Sequence, residues 1–307
     1  MKLLADLEVN TKAVERTAEA IGDDIAAREH ERIQQAMQLN LPIVVGASIP
    51  ILYVQMDGTG VPVVKKETAG RKGKMDGQPA RTREVKLGCV FTQATWDPGG
   101  FPIRDPGSTT YTGAIETAHE FGKRLYLEAW NRGWSQAHKK VLMGAGAEWI
   151  WNLAEQHFPG AVQIVDLYHA RQHLWELARR LHPKQESAQK AWMKIHQDRM
   201  LDKGQIEKLV IALRAIHAGN IELLDKIRTE ADYFERSADR MRYPEFRSQH
   251  LFVGSGVIEA GCKTVIGSRL KASGMLWTVS GANAIIALRC SHLDSRFETY
   301  WEERPAA

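Results

Sequence analysis

Asp57 is the acidic residue whose surroundings most favour a chemical role. It follows the apolar run Ile51 to Met56, and Gly58 and Gly60 come directly after it. The β-branched residues on both sides predict two adjacent strands joined by a tight connection, with the carboxylate at a strand end facing a cleft. Because Asp-Gly is also a favoured turn dipeptide, a purely structural role in bending the chain is the alternative interpretation.

A second candidate acid, Glu259, lies in a segment with helical character. Ser255 is placed where it can cap the first turn of that helix, and Lys263 follows Glu259 by one turn on the same face. If both acids take part in chemistry, Glu259 has to meet Asp57 in the fold, on one face of the sheet.

Two histidines, His169 and His173, are one helical turn apart, a spacing that can bind zinc. No Glu follows the first of them and no third ligand is evident, so we interpret the pair as polar packing. Asp166 stands three residues before His169 at a predicted strand-to-helix junction. We interpret this pair as a helix cap with hydrogen bonding.

Hydrophobic periodicity predicts a mixed α/β protein in which three antiparallel strands precede parallel ones, with Asp57 on the central strand. Short strands alternate with helices up to Leu181, and the chain from Lys184 to Arg242 reads as entirely helical, ending at Pro244. We expect an N-terminal helical segment at 1–42, the core at 43–183, a helical insertion at 184–244 and the rest of the core at 245–307. Within the first segment, the helix should run from Thr11 to Leu39, with Thr11 as its cap and an interruption at Gly22.

Composition permits a polyanion partner without requiring one. The 307 residues carry a net charge of +4, and the basic residues between Lys65 and Arg83 sit among Gly, Pro and Gln without an apolar period. The three cysteines form no CxxC pair, which disfavours a disulfide framework or a zinc finger and favours a reducing compartment. No secretory signal is evident, and the apolar run Leu41 to Val54 is too broken to span a membrane.

Several long blocks resemble the ISKra-type insertion-sequence transposases, which are allied to the Mutator-like transposases. In chain order they are MDGTGVPV, EVKLG, AEWIWNLAEQHFPGAVQIVDLYHARQHL, VGSGVIEAGCKTVIGSRLK and GANAIIALR. The resemblance spans nearly the whole chain and implies a ribonuclease-H-like fold, with a mixed sheet flanked by helices. It also implies an all-helical insertion between the second and third members of an Asp-Asp-Glu triad. A region for recognising DNA ends, which family members carry ahead of this sequence, is expected to be missing.

The resemblance assigns catalytic positions residue by residue. Asp57 matches the first acid and Glu259 the third, while Asp166 and His169 match a supporting Asp-x-x-His signature. The second acid belongs in a Gly-Asp-Gly-Ala motif that here reads Gly-Ala-Gly-Ala, so Ala145 stands in place of the carboxylate. Glu148 lies one helical turn further on and starts from the wrong place to substitute for it.

The resemblance also implies cofactors and partners. Family sites hold two Mg²⁺ or Mn²⁺ ions, for which Asp57 and Glu259 are the remaining ligands. The expected partner is the double-stranded DNA of transposon ends, bound by a homo-oligomer in the bacterial cytoplasm at the nucleoid, with no membrane association. The candidate DNA-binding residues, expected on the same face as Asp57, are Lys65, Lys66, Arg71, Lys72, Lys74, Lys263, Arg269 and Lys271.

Three functions are compatible with these residues. The first is a transposase core that cleaves and joins DNA strands, disabled as it stands by Ala145. The second is a non-catalytic DNA-binding or regulatory derivative of such an enzyme. The third is a glycosidase that uses Asp57 and Glu259 as its two carboxylates. The basic residues near both acids favour a polyanion over a sugar.

Overall fold

A five-stranded mixed sheet forms the centre of the molecule. The computed structural model describes residues 10–38, 41–73 and 78–303. The sheet consists of β1 (Ile49–Pro62), β2 (Thr82–Gln93), β5 (Thr110–Ala114), β6 (Ala137–Gly144) and β7 (Val162–Val165), and a two-residue hairpin, β3 (Thr95–Trp96) with β4 (Pro102–Ile103), lies outside it. The strand order is β5-β2-β1-β6-β7, so β1 is the central strand, as predicted.

The sheet has an antiparallel half and a parallel half that meet at β1. The strand β1 pairs antiparallel with β2, which pairs antiparallel with β5, whereas β6 and then β7 are added in parallel. This arrangement confirms the predicted change from antiparallel to parallel pairing. The parallel half is buried, with Val141, Leu142 and Val165 fully excluded from solvent, as is usual for strands covered on both faces.

The predicted tight connection at Asp57 and Gly58 is wrong. The strand β1 runs without a break through both residues, and each pairs with a residue of β2, Asp57 with Leu87 and Gly58 with Lys86. The partner strand β2 overrides the local turn preference of Asp-Gly, because pairing along the whole length satisfies the backbone groups that a turn would expose. Asp57 therefore lies inside a strand.

Helices cover both faces of the sheet. In chain order they are α1 (Thr11–Met37), α2 (Ala118–Asn131), α3 (Glu148–His157), α4 (Leu167–Leu181), α5 (Glu186–His196), α6 (Ile206–Arg214), α7 (Ile221–Arg236), α8 (Tyr243–Ser248), α9 (Gly256–Gly261), α10 (Ser268–Leu270), α11 (Val279–Leu293) and α12 (Phe297–Glu302). On one face, Gly88 of β2 lets Phe121 and Leu125 of α2 pack directly on the sheet. On the other face, Gly261 of α9 packs on Leu87.

The chain from residue 186 to 248 is helical throughout its regular elements, as predicted. Pro244 does not end this region, because it occupies the first turn of α8, where its missing N–H costs nothing. The segment from Phe252 was predicted to enter as a strand, but residues 251–255 belong to no strand or helix. None of the helices within the described residues is long and apolar enough to cross a membrane.

The first helix packs along α11. Its cap is Asn10, whose side chain accepts a hydrogen bond from the backbone N–H of Ala13 (2.8 Å), and not Thr11 as predicted. The predicted interruption at Gly22 is also absent, since α1 continues through it. Gly22 is buried, and a Cβ there would overlap the backbone carbonyl of Ala284 in α11. The glycine therefore permits close helix contact. The predicted end at Leu39 lies outside the described residues.

We expect Gly22→Ala to destabilise the protein by about 1–3 kcal/mol, because the added methyl group forces two packed helices apart. The free energy of unfolding in urea measures this. Gly219→Ala is the matched control, since nothing lies within 4 Å of a Cβ at that position. Equal unfolding midpoints for the two variants would show that α1 is not packed against α11 as described.

Candidate functional site

The candidate site lies where β6 ends beside β1. The last residue pair of these parallel strands is Met56 with Gly144, so Asp57 and Ala145 follow at the same level. The prediction that the strand before Ala145 lies beside the strand of Asp57 is confirmed. The carboxyl ends of parallel strands commonly border ligand-binding crevices, because the chain must turn away there.

A cleft of about 360 Å³ opens at this point and contains all three predicted catalytic positions. It is lined by Met56, Asp57, Ala145, Tyr168, His169, Gln172, Ser255, Ile258 and Glu259. The structure therefore brings Asp57, Ala145 and Glu259 together, although about two hundred residues separate the first from the last. Glu148 is exposed at the start of α3 and does not line the cleft.

Asp57 is held in place by two donors. Its Oδ1 accepts a hydrogen bond from the backbone N–H of Gly58 (2.7 Å), and its Oδ2 accepts one from the thiol of Cys262 (3.7 Å). Burial, followed by the nearby charge and hydrogen bond of Asp57, raises the pKa of Cys262 to about 12. The thiol is therefore protonated at neutral pH and acts as a donor. Sequence reasoning missed this residue, although it lies three positions after Glu259 on the same helix.

Glu259 sits on the short helix α9, which is fixed from below by Gln55. The buried side chain of Gln55 accepts a hydrogen bond from the backbone N–H of Ile258 (3.1 Å) and donates one to Sδ of Met143 (3.2 Å). Gln55 lies two residues before Asp57, so both side chains project from the same face of β1. One amide thus ties α9 to two strands and sets Glu259 above the face that carries Asp57. Sequence reasoning missed Gln55 because a single polar residue in an apolar strand carries no pattern.

Ser255 is the residue before α9, but it does not cap the helix as predicted. No cap hydrogen bond comes from its side chain, and its hydroxyl instead donates to Oε1 of Glu259 (3.2 Å). The backbone N–H of Ser255 donates to Oδ2 of Asp166. Ser255 therefore connects the start of α9 to Asp166 and Glu259.

Asp166 links two helix starts while being fully excluded from solvent. Its Oδ1 accepts a hydrogen bond from the backbone N–H of His169 (2.5 Å), which caps α4 as predicted, and its Oδ2 binds the N–H of Ser255. A buried carboxylate that accepts backbone hydrogen bonds with both oxygens fixes its surroundings strongly. Asp166 therefore positions α4 and α9 relative to each other beneath the cleft.

After Glu259 the helix continues as a π-helical turn, Cys262–Gly267, before α10. Such turns are rare and occur often at functional sites. Further along the chain, Nζ of Lys271 donates a hydrogen bond to the hydroxyl of Thr59 (2.5 Å). Thr59 is two residues after Asp57 on the same strand face. A lysine therefore reaches the face of the sheet that holds the candidate acids.

The other basic candidates are exposed but do not all share this face. A groove beside β1 and β2 is lined by Arg71, Lys72, Gly58, Gly60 and Glu84 among others. A Cβ on Gly58 would lie 2.6 Å from Glu84, which places this groove on the face opposite Asp57. The expectation of a single basic face therefore holds for Lys271 and is wrong for this groove.

The remaining predicted DNA-binding residues that the structure describes lie outside the cleft. Lys65, Lys66, Lys263 and Arg269 are exposed at the surface, and Lys74 lies outside the described residues. None of these four described residues lines the cleft that contains Asp57 and Glu259.

The donor set does not match a two-ion metal site. Within residues 10–38, 41–73 and 78–303, no group of three or more His, Cys, Asp or Glu side chains is arranged to hold a metal ion. Asp57 and Glu259 supply two carboxylates, and position 145 supplies a methyl group.

Comparisons with known proteins assign no family to the chain. No protein-family model matches it, and no curated protein matches it. Among solved structures, it is similar to the Drosophila P element transposase strand transfer complex, with 10% sequence identity over 84% of this chain and 68% of that chain and a TM-score of 0.27.

We expect Asp166→Asn to destabilise the protein by about 1–3 kcal/mol. The substitution replaces one of the two accepting oxygens by an NH₂ group, which would face a buried backbone N–H without forming a hydrogen bond. Urea denaturation measures the loss, and amide hydrogen exchange at residues 255–259 should accelerate. Asp225→Asn on the exposed surface of α7 is the control. Unchanged exchange at these amides would contradict the linking role of Asp166.

Proposed function

We propose that this chain is the catalytic core of a DNA transposase that binds DNA but is disabled for strand cleavage by Ala145. The observation that supports it most is the meeting of Asp57, Ala145 and Glu259 in one cleft, where β6 ends beside β1. These are the three catalytic positions that the sequence resemblance assigns. The helix and strands that carry them come from distant parts of the chain.

The sheet is compatible with a ribonuclease-H-like fold. The sheet has three antiparallel strands followed by two parallel ones. Asp57 lies on the central strand β1, and Ala145 follows the end of its parallel neighbour β6. Helices occupy the chain between position 145 and Glu259 from residue 186 to 248. We interpret this stretch as the helical insertion of the proposed family, with the core resuming near residue 245.

Strand cleavage and joining is an in-line displacement at phosphorus, and its transition state places negative charge on oxygens around the reacting centre. In the proposed family, metal ions bound by three acids stabilise that charge. The residues of this chain supply two of the three acids, so the intact site does not form. Asp57 remains oriented by Gly58 and Cys262, and Glu259 by Ser255. The scaffold for the reaction is therefore retained without its full ligand set.

Binding to the nucleic-acid backbone is supported by charge near the acids. Lys271 contacts Thr59 on the face of Asp57, and Lys263 and Arg269 are exposed on the segment that joins Glu259 to Lys271. Exposed cations beside a carboxylate pair favour a phosphate-rich partner over a neutral sugar. We therefore place double-stranded DNA across this side of the cleft.

Ala145→Asp should raise the affinity for Mg²⁺ or Mn²⁺ and increase nicking of supercoiled plasmid DNA by several powers of ten, which is several kcal/mol in the barrier. Isothermal titration calorimetry with Mn²⁺ and a gel assay for nicked circles measure these effects. Stability should fall slightly, because a third carboxylate adds repulsion to the site. Ala145→Asn, which adds similar volume without charge, is the control. Equal nicking by the present chain and the Asp variant would place the second catalytic position elsewhere.

Binding of a double-stranded oligonucleotide should weaken steeply with salt, and Lys271→Ala should reduce the slope of log affinity against log salt concentration by about one unit. Fluorescence anisotropy over a salt series measures the slope. Lys190→Ala on the exposed surface of α5 is the control. If both variants keep the slope of the unchanged protein, Lys271 does not contact phosphate.

A further inference from the structure

A line of hydrogen bonds leads from the cleft into the helical region and involves residues that the proposed function leaves unused. Nε2 of His169, which lines the cleft, is 3.2 Å from Nε2 of His173. Nδ1 of His173 is 2.7 Å from Oε2 of Glu230 on α7. The two histidines that sequence reasoning assigned to packing therefore connect the cleft with a carboxylate from a distant segment.

Glu230 determines the direction of these hydrogen bonds. Its side chain is 2% exposed and also pairs with Nζ of Lys226 (2.5 Å). Burial acts to raise the pKa of Glu230, but the hydrogen bonds from His173 and Lys226 outweigh it and lower the pKa below its ordinary value. An ionised carboxylate accepts hydrogen bonds and donates none. Nδ1 of His173 must therefore carry a proton and donate it.

The proton on Nδ1 of His173 also decides which ring donates the hydrogen bond between the two imidazoles. In the neutral form of His173, which has one N–H, donation from Nδ1 leaves Nε2 as an acceptor. Nε2 of His169 is then the donor of the contact between the rings. Burial lowers the pKa of His169, which keeps its imidazole neutral at pH 7. Its Nδ1 accordingly has a lone pair, and this is the ring nitrogen that His173 leaves to the cleft.

Tyr233, one turn after Glu230, holds the same parts of the site together. Its ring stacks on His173 with centroids 4.1 Å apart. It also packs on Gly146, the residue after Ala145, where the backbone has a φ of 98° and a Cβ would lie 2.7 Å from the ring. The helix α7 therefore contacts both the histidine pair and the loop that carries position 145. This contact fixes the plane of the imidazole through which Glu230 acts.

We propose that Glu230 is a positioning residue for the cleft, which through His173 holds His169 with its proton on Nε2 and its Nδ1 ready to accept a hydrogen bond from the terminal 3′ hydroxyl of a DNA strand. The identity of the ligand rests on the proposed function, whereas the state of the two histidines does not. The helical region thereby contributes to the site as well as separating its parts along the chain.

Nuclear magnetic resonance of the full chain labelled with ¹⁵N-histidine tests the state of the rings directly. Long-range ¹H–¹⁵N spectra at pH 7.5 should show His169 protonated on Nε2 and His173 protonated on Nδ1, with signals assigned from His169→Gln and His173→Gln. The spectrum of the unchanged protein is enough to overturn the proposal. A proton on Nδ1 of His169 would mean that the hydrogen bond between the two rings runs from His173 to His169.

Glu230→Met then tests the source of the order. Loss of the acceptor should convert both rings to mixtures of tautomers, while the control Glu235→Met, on the exposed surface of the same helix, should leave them unchanged. A single unchanged tautomer in folded Glu230→Met would show that Glu230 does not set it.

Duplex DNA with 3′ hydroxyl ends, compared with the same duplex with 3′-deoxy ends, tests the ligand. We expect the Nδ1 signal of His169 to shift with the hydroxyl-ended duplex alone. Equal signals with two bound duplexes would overturn the assignment of the ligand. If neither duplex binds, both the proposed function and the assignment of the ligand are wrong. The tautomers measured without DNA would still decide whether Glu230 positions the two histidines.

Discussion

The site depends on the unequal lengths of the two strands that flank β1. The antiparallel partner β2 accompanies β1 to Pro62, whereas the parallel partner β6 stops at Gly144, opposite Met56. Beyond Met56, β1 is thus held on one side and open on the other until Pro62, whose carbonyl accepts a hydrogen bond from the N–H of Trp277 (3.2 Å). Asp57 is the first side chain in that open stretch, so its carboxylate is anchored by a rigid strand and still reaches a ligand. A carboxylate on a loop would gain the exposure but not the rigidity.

The third element of the site is held by side chains that bind backbone groups. Gln55 and Asp166 are both fully buried, and each accepts a hydrogen bond from an N–H at the start of α9 or just before it. Unpaired N–H groups at a helix start are costly to bury, so a mismatch at either residue would shift the helix and Glu259 with it. Such contacts explain how residues about two hundred positions apart meet with defined orientation.

Periodic features were predictable from the sequence, and pairwise contacts were not. The helix α4 ends at Leu181, where the alternation of strands and helices was predicted to end, and the mixed pairing of the sheet follows the predicted element order. Errors arose where a distant partner overrode local preference. The strand β2 straightens Asp57 and Gly58, and the contact with Ala284 explains the glycine at position 22. Cys262 and Glu230 escaped notice because their importance comes from what they touch, which no spacing encodes.

The π-helical turn after Glu259 has a consequence for the phase of the residues that follow it. An α-helix advances by about 100° per residue, and a π-helical turn accommodates one extra residue, so everything beyond Gly267 is rotated by about that angle relative to an uninterrupted helix. Glu259 and the later basic residues are therefore not in register as parts of one helical face. Because of this rotation, Glu259 can point into the cleft while Lys271, further along the chain, points toward β1. Insertions and deletions between Cys262 and Gly267 would change the rotation of the following residues about the helix axis, whereas substitutions there would preserve it.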